Sequence, residues 1–166
     1  GMLLSVSQGY CDPTTPLGVY MFIGPTGVGK TEMANAIAHT IFGGKLYKEE
    51  MNTYSERHSV SRITGSPPGY IGYGDRTPLL SFIEDNSSGV ILLDEIEKAS
   101  DEVLKTIMEL INTGIIKDTT GKSYNARNFL FILTSNVSFS EKKRKKKLGF
   151  EKEEEESPKT AKQMVE

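Results

Sequence analysis

Cysteine is almost absent from this chain. One thiol, Cys11, cannot close an internal disulfide, which leaves the cytoplasm as the default compartment. An excess of one charge is lacking too. Against 22 acidic residues stand 20 basic ones, for a net charge of −2. That balance argues against a general nucleic-acid-binding or membrane-adsorbing surface. No apolar run approaches the length of a membrane span, and no signal-peptide pattern opens the chain. The two histidines, His39 and His58, have no metal-ligand spacing with each other or with Cys11, so neither is expected to bind metal. What remains is a chain of 166 residues, 37% of them hydrophobic, a length that suits one domain with a sizeable core.

Residues 1–17 read as irregular, with turn chemistry in "CDPTTP". "GVYMFIG" predicts a buried strand. In "KTEMANAIAHTIF", Met33, Ala34, Ile37, Ala38 and Ile41 recur at helical spacing, and Gly43-Gly44 ends the helix. "KLYKEEM" is a second strand, "SERHSVSRI" a short helix, "LLSFIED" a helix and "GVILLDE" a strongly apolar strand. Ser100 is placed to cap "DEVLKTIMELIN", where Val103, Leu104, Ile107, Met108, Leu110 and Ile111 form an apolar stripe and Gly114 supplies the stop. "NFLFILTSN" is another buried strand. Strands apolar on both faces, alternating with amphipathic helices, predict an α/β fold of three layers, a parallel sheet with helices on both faces. The expected boundaries are an α/β subdomain over 1–140 and a charged, solvated segment over 141–166. The latter reads "EKKRKKK" and then "EKEEEE". The basic run also fits a nuclear-localisation signal.

"GPTGVGKT", Gly24 to Thr31, matches G-x-x-x-x-G-K-[ST] and lies between a predicted strand and a predicted helix. Glycines let successive backbone N–H groups point inward around a phosphate, where a Cβ would intrude. The helix that follows presents its partially positive N-terminus to the anion. Gly24, Pro25, Thr26, Gly27, Val28, Gly29, Lys30, Thr31 and Glu32 are thus expected to bind ATP. Lys30 reaches the β- and γ-phosphates, and Thr31 offers its hydroxyl to Mg²⁺. "VILLDE" ends in Asp94 and Glu95. In a parallel sheet the strand C-termini gather at one edge, beside the phosphate loop. Asp94 is expected to organise Mg²⁺ and Glu95 to polarise a water for attack on the γ-phosphate. Asn136, at the end of "ILTSN", is expected at the same edge, orienting that water or sensing the γ-phosphate.

Together "GPTGVGKTE", "SERHSVSRITGSPPGYIGYG", "VILLDEIEKA", "TGIIKDTTGKSYNARN" and "LTSN" resemble the AAA+ ATPases of the Clp family. They are most similar to the second ATPase module of protease-regulatory subunits of the ClpA/ClpC type, with the ClpB-type disaggregases as near relatives. The match runs over roughly residues 12–137 in family order. The resemblance implies the large subdomain of a homo-hexameric ring. Such a ring couples ATP hydrolysis to threading unfolded or tagged polypeptides through a central pore into a ClpP-type peptidase. It implies no nucleic-acid or membrane partner. In that family the loop matching "GYIG" lines the pore, so Tyr70 and Ile71 are expected to grip substrate, with Tyr73 supporting the loop. A tyrosine offers a broad apolar face with little side-chain entropy to lose.

Two stretches depart from the family pattern. Asp75-Arg76-Thr77-Pro78-Leu79 stands where Gly-Gly-Gln-Leu is usual. Thr113-Gly114-Ile115-Ile116-Lys117, in the region of the second pore loop, stands where an acidic-Gly-Arg-Leu-Thr run is usual. Between the charged runs lies Leu148-Gly149-Phe150. The resemblance implies that this tripeptide docks the peptidase, because an apolar triplet in a charged segment has no core to join. Two other activities fit the same motifs: a disaggregase without peptidase, and an assembly module gated by nucleotide with little hydrolysis. The helical subdomain and arginine finger of the family are not found in the chain, so it is expected to hydrolyse ATP very little by itself.

Overall fold

The computed structural model describes residues 3–5 and 14–136. A five-stranded sheet runs in the order β1 (Leu3–Ser5), β2 (Gly18–Ile23), β7 (Phe129–Ser135), β4 (Gly89–Asp94), β3 (Leu46–Glu50). Only β1 is antiparallel to its neighbour. The parallel register aligns Ile23 with Ser135 and Glu50 with Asp94, so the C-terminal ends of these strands form one edge.

One face of the sheet is covered by α1 (Lys30–Phe42). Ala34 and Ala38 are buried against Phe22, Val90, Leu92, Leu130 and Ile132. The other face carries α3 (Pro78–Asp85) and α4 (Asp101–Thr113), which pack Leu80, Ile83, Val103, Ile107 and Leu110 on Ile91, Leu93, Phe131 and Leu133. Strands β4 and β7 take residues from both clusters. They are the inner strands, and their continuous apolar runs follow from burial on two faces. The expected three-layer α/β architecture is thus present.

Several local expectations need correction. Residues 1–17 are not wholly irregular: Leu3–Ser5 pairs with Tyr20–Phe22. A three-residue edge strand is held by its neighbour's backbone, which leaves too short a side-chain pattern to read. Strand β2 has one buried residue, Phe22, because α1 packs across β4 and β7 instead. For the same reason Ile41, on the flank of the α1 stripe, is 67% exposed. Ser100 occupies the N-cap of α4, but its hydroxyl makes no capping bond and is buried without a partner among the described residues. Its N–H instead donates to Tyr54 O at 2.9 Å, which orients the residue away from the helix amides. Thr77 does cap: its Oγ1 accepts from Leu80 N–H ahead of Pro78, as the first turn of α3 favours.

"SERHSVSRI" forms a 3-10 turn at Arg57–Val60 and then α2 (Ser61–Thr64). Downstream of α4, Gly114 takes φ 65°, and a Cβ there would stand 2.4 Å from Arg127 Cγ. The chain then makes a hairpin that the sequence reading did not include, β5 (Ile115–Lys117) against β6 (Ser123–Asn125). Its turn is closed by Asp118. Oδ1 accepts from Thr120 N–H, the Thr120 hydroxyl and Lys122 N–H at 2.9, 2.6 and 3.0 Å, and Oδ2 accepts from the Tyr124 hydroxyl at 3.1 Å. These donors, the Thr120 hydroxyl foremost, hold the carboxyl below its ordinary value of 3.8.

Phe131 is fully buried in the middle strand, and Phe131→Ala is expected to lower the unfolding free energy by about 3–5 kcal/mol in a urea titration. The Asp118 support is fully present above its ordinary value of 3.8 and is lost as pH falls through the lower folded value. Asp118→Ala should therefore melt below wild type at neutral pH, with the gap closing in strongly acid buffer.

Candidate functional site

The glycine-rich loop from Gly24 to Gly29 links β2 to α1 at the sheet edge. Its entry is fixed by Gly24 N–H donating to Ser135 O at 3.2 Å. Gly27 and Gly29 take φ 84° and 88°, where a side chain is strained, and a Cβ on either would meet no atom within 4 Å. Both glycines therefore border open space rather than packed protein, and the first-turn amides of α1 have no intrahelical acceptor. Lys30, the first residue of α1, donates to Gly24 O at 2.7 Å, Pro25 O at 3.0 Å and Asn136 Oδ1 at 2.7 Å. None of these acceptors is a carboxylate. Among the described residues the ammonium has hydrogen bonds but no ion pair, so its charge is available to an anion. Thr31, half-buried, follows in the same turn.

The carboxylates come from β4. Asp94 is its last residue; the Thr134 hydroxyl donates to its Oδ1, and Lys48 Nζ stands 3.4 Å from its Oδ2. Glu95 follows in the left-handed region, at φ 58° and ψ 53°, the one positive-φ non-glycine residue among those described. Such a conformation costs on the order of 1–3 kcal/mol and persists where surrounding contacts impose it. Here Glu95 N–H donates to Thr134 Oγ1 at 3.0 Å, and Glu95 Oε1 accepts from Asn136 Nδ2 at 2.5 Å. The turn of backbone separates the two acids: Asp94 faces Thr134 and Lys48, while Glu95 faces Asn136.

Asn136 joins the two halves. Its Oδ1 accepts a hydrogen bond from Lys30 Nζ, its Nδ2 donates one to Glu95 Oε1, and its N–H donates to Glu97 Oε1 at 3.1 Å. Lys30, Asn136, Glu95 and Asp94, expected together, are together. Three further residues belong to the cluster and were missed: Thr134, Lys48 and Glu97. Thr134 lies in "ILTSN", where a hydroxyl ending an apolar run was a usable signal. Glu97 lies two residues past Glu95, and its Oε2 is buried without a partner among the described residues. Lys48 reaches Asp94 only through strand pairing and had no local signal.

Tyr70 and Ile71 lie far along the chain from this edge. Tyr70 is 70% exposed, and Ile71 fully so. Their loop is turned rather than slack: Tyr70 N–H donates to Pro67 O, Tyr73 N–H to Tyr70 O and Asp75 N–H to Gly72 O. Two large apolar side chains are thereby held out in solvent at one tip. Leu148, Gly149 and Phe150, and the 141–166 segment, lie outside the described residues. No described helix is long and apolar enough to cross a membrane.

The sheet order, the glycine-rich turn from β2 into α1 and the acidic end of β4, on the far side of β7 from β2, define a phosphate-loop α/β domain. The chain belongs to the AAA domain family, Cdc48 subfamily, whose model matches residues 15–166, and within it is a Clp-type module. It is 44% identical over 149 residues to the negative regulator of genetic competence ClpC/MecB of Bacillus subtilis, covering 89% of this chain. It is 43% identical over 150 residues, again 89% of this chain, to the chaperone protein ClpB of Oceanobacillus iheyensis. With the ATP-dependent Clp protease ATP-binding subunit ClpC of Staphylococcus aureus it shares 40% over 144 residues, 86% of this chain. The match spans 18% of the length of each of these relatives.

The strain at Glu95 can be isolated by comparing two variants that both lack its carboxylate. Glu95→Gly should be more stable than Glu95→Ala by about 1 kcal/mol in denaturant unfolding, since only glycine adopts this φ freely. Equal stabilities would show that the turn relaxes without cost.

Proposed function

We propose that this chain is the ATP-hydrolysing module of a Clp-type protein-unfolding motor. The observation that carries the reading is the hydrogen-bonded sequence Lys30–Asn136–Glu95, which puts an ammonium without an ion pair among the described residues and a carboxylate on either side of one amide. The donors fit Mg²⁺-ATP. An open glycine turn and an unpaired ammonium suit phosphate oxygens; the Thr31 hydroxyl and the Asp94 carboxylate suit a hard divalent cation. When bound, Mg²⁺-ATP supplies the scissile phosphoanhydride and the metal charge that offsets its negative oxygens.

The chain's own residues do the rest. Gly24 to Glu32 would hold the triphosphate, Lys30 giving up its loop carbonyls to pair with it. Thr31 and Asp94 would hold the metal, and the Thr134 hydroxyl keeps Asp94 oriented. Glu95 Oε2 would take a proton from water while Oε1 stays anchored to Asn136 Nδ2, so the base is pre-positioned. Asn136, bonded to Lys30, registers whether that lysine is on the loop or on a phosphate. Tyr70 and Ile71 would grip polypeptide in the pore of a homo-hexamer, and Leu148-Gly149-Phe150 would dock a ClpP-type peptidase in the cytoplasm. The similarity to a ClpB chaperone, at 43% identity, favours one second reading, disaggregation without a peptidase.

In the full-length protein, Glu95→Gln is expected to abolish ATP turnover while retaining bound nucleotide, and Lys30→Ala to lose nucleotide binding. Undiminished turnover in Glu95→Gln would remove the base assignment. Co-purification of a ClpP-type peptidase, lost in Phe150→Ala, separates the protease reading from the disaggregase one.

A further inference from the structure

The β5–β6 hairpin has no part in the nucleotide edge, yet its turn is densely hydrogen-bonded. Asp118 closes it with four accepted hydrogen bonds, as described above. From this rigid turn Thr119 reaches the N-terminal stem of the aromatic loop. Its N–H donates to Thr64 O at 3.0 Å and its hydroxyl to Ser66 O at 2.8 Å. The C-terminal stem is tied to the same turn through α3. Arg76 Nη1 stands 2.5 Å from Glu84 Oε2 and 3.6 Å from Asp85 Oδ1, while Lys122 Nζ bonds the other oxygen of Glu84. Both ends of the segment carrying Tyr70 and Ile71 are thus fastened to Asp118–Lys122, one directly and one through a shared carboxylate. Arg76 belongs to a stretch where the chain departs from the Clp pattern.

We propose that Thr119 and Lys122 are positioning residues for the aromatic loop, so that the hairpin turn sets where Tyr70 and Ile71 stand and the two loops move as one body. The importance of that position for gripping rests on the reading under Proposed function; the mechanical tie does not. The two stems are unequal. Arg76, Glu84 and Lys122 are largely solvent-exposed, so their ion pairs are weak and screened by salt. The Thr119 bonds are neutral and partly buried, so they persist at high salt and carry most of the restraint.

The chain has no tryptophan, so Tyr70→Trp in the full chain places a single reporter on the loop. In that background Thr119→Val should lower the emission anisotropy and raise acrylamide quenching, and Thr119→Ser should restore both. With Tyr70 in place, amide exchange at Tyr70 and Tyr73 should quicken roughly ten-fold in the single variant Thr119→Val, the factor that one lost hydrogen bond gives. Lys122→Met should loosen the reporter at low salt and match its parent at high salt. Anisotropy and exchange unchanged in Thr119→Val would overturn the proposal. Should that variant fail to fold by circular dichroism, Lys122→Met decides: mobility equal to its parent at low salt overturns it equally. These readouts need no substrate. If carboxymethylated lactalbumin, an unfolded polypeptide, leaves the anisotropy unmoved, the gripping role is lost while the brace stands.

Discussion

Asn136 bears hydrogen bonds to both charged partners of the site, and the arrangement of the edge depends on it. A lysine 2.7 Å from one end of an amide and a carboxylate 2.5 Å from the other are kept apart by that amide, although opposite charges at this spacing attract strongly. Were the amide absent, Lys30 and Glu95 would be free to neutralise each other. A salt bridge there would leave neither the ammonium nor the carboxylate available to another group. The amide is neutral and bonds both groups without cancelling either. Its own position is fixed by Glu97, which takes its N–H, and by β7, whose residues are buried throughout.

The edge also holds backbone strain, at Glu95. Asp94 completes β4 with ordinary strand geometry, and Glu95 then turns left-handed. This turn sends the two carboxylates to different neighbours, which regular strand geometry would achieve only by placing them on opposite faces of the sheet. Thr134 sustains it from both sides, accepting from Glu95 N–H and donating to Asp94. One hydroxyl on the adjacent strand therefore supports both acids. Lys48, from the strand on the other side, offsets the charge of Asp94. The inner strands are apolar on both faces up to this edge, and polar contacts begin where the core ends.

The legible parts of this site were local in sequence. The glycine spacing around Lys30 requires positive φ at Gly27 and Gly29, and both adopt it. The run "VILLDE" announced a buried strand with an acidic end. What could not be read was set by pairing across long separations. Thr134 and Asp94 are 40 residues apart, and Thr119 and Ser66 are 53 apart. No spacing rule within one element reports such contacts. Ser100 shows a subtler limit: the residue type and position fit a helix cap, but the competing bond from its N–H to Tyr54 O decides the geometry. The hairpin turn lay in the stretch that resembled the second pore loop, but Thr119 carries no local signal of its two donated bonds to Thr64 and Ser66.

Two bonded routes join the strained residue to the aromatic loop. From Glu95 the chain passes through the Ile96–Lys98 turn to Ser100, whose N–H holds Tyr54 O, just ahead of α2 and the loop. By the other route α4 runs from Ser100 into β5, and the hairpin turn returns to Thr64 and Ser66 through Thr119. Both start at the backbone that carries the carboxylate; the first reaches Tyr54, ahead of α2, and the second ends on the Thr64–Ser66 stem itself. Core packing of α4, with Val103, Ile107 and Leu110 buried, leaves little room for that helix to absorb a shift by deforming. Movement of α4 as a unit would therefore be passed to the hairpin turn, whose Thr119 bonds hold Thr64 and Ser66.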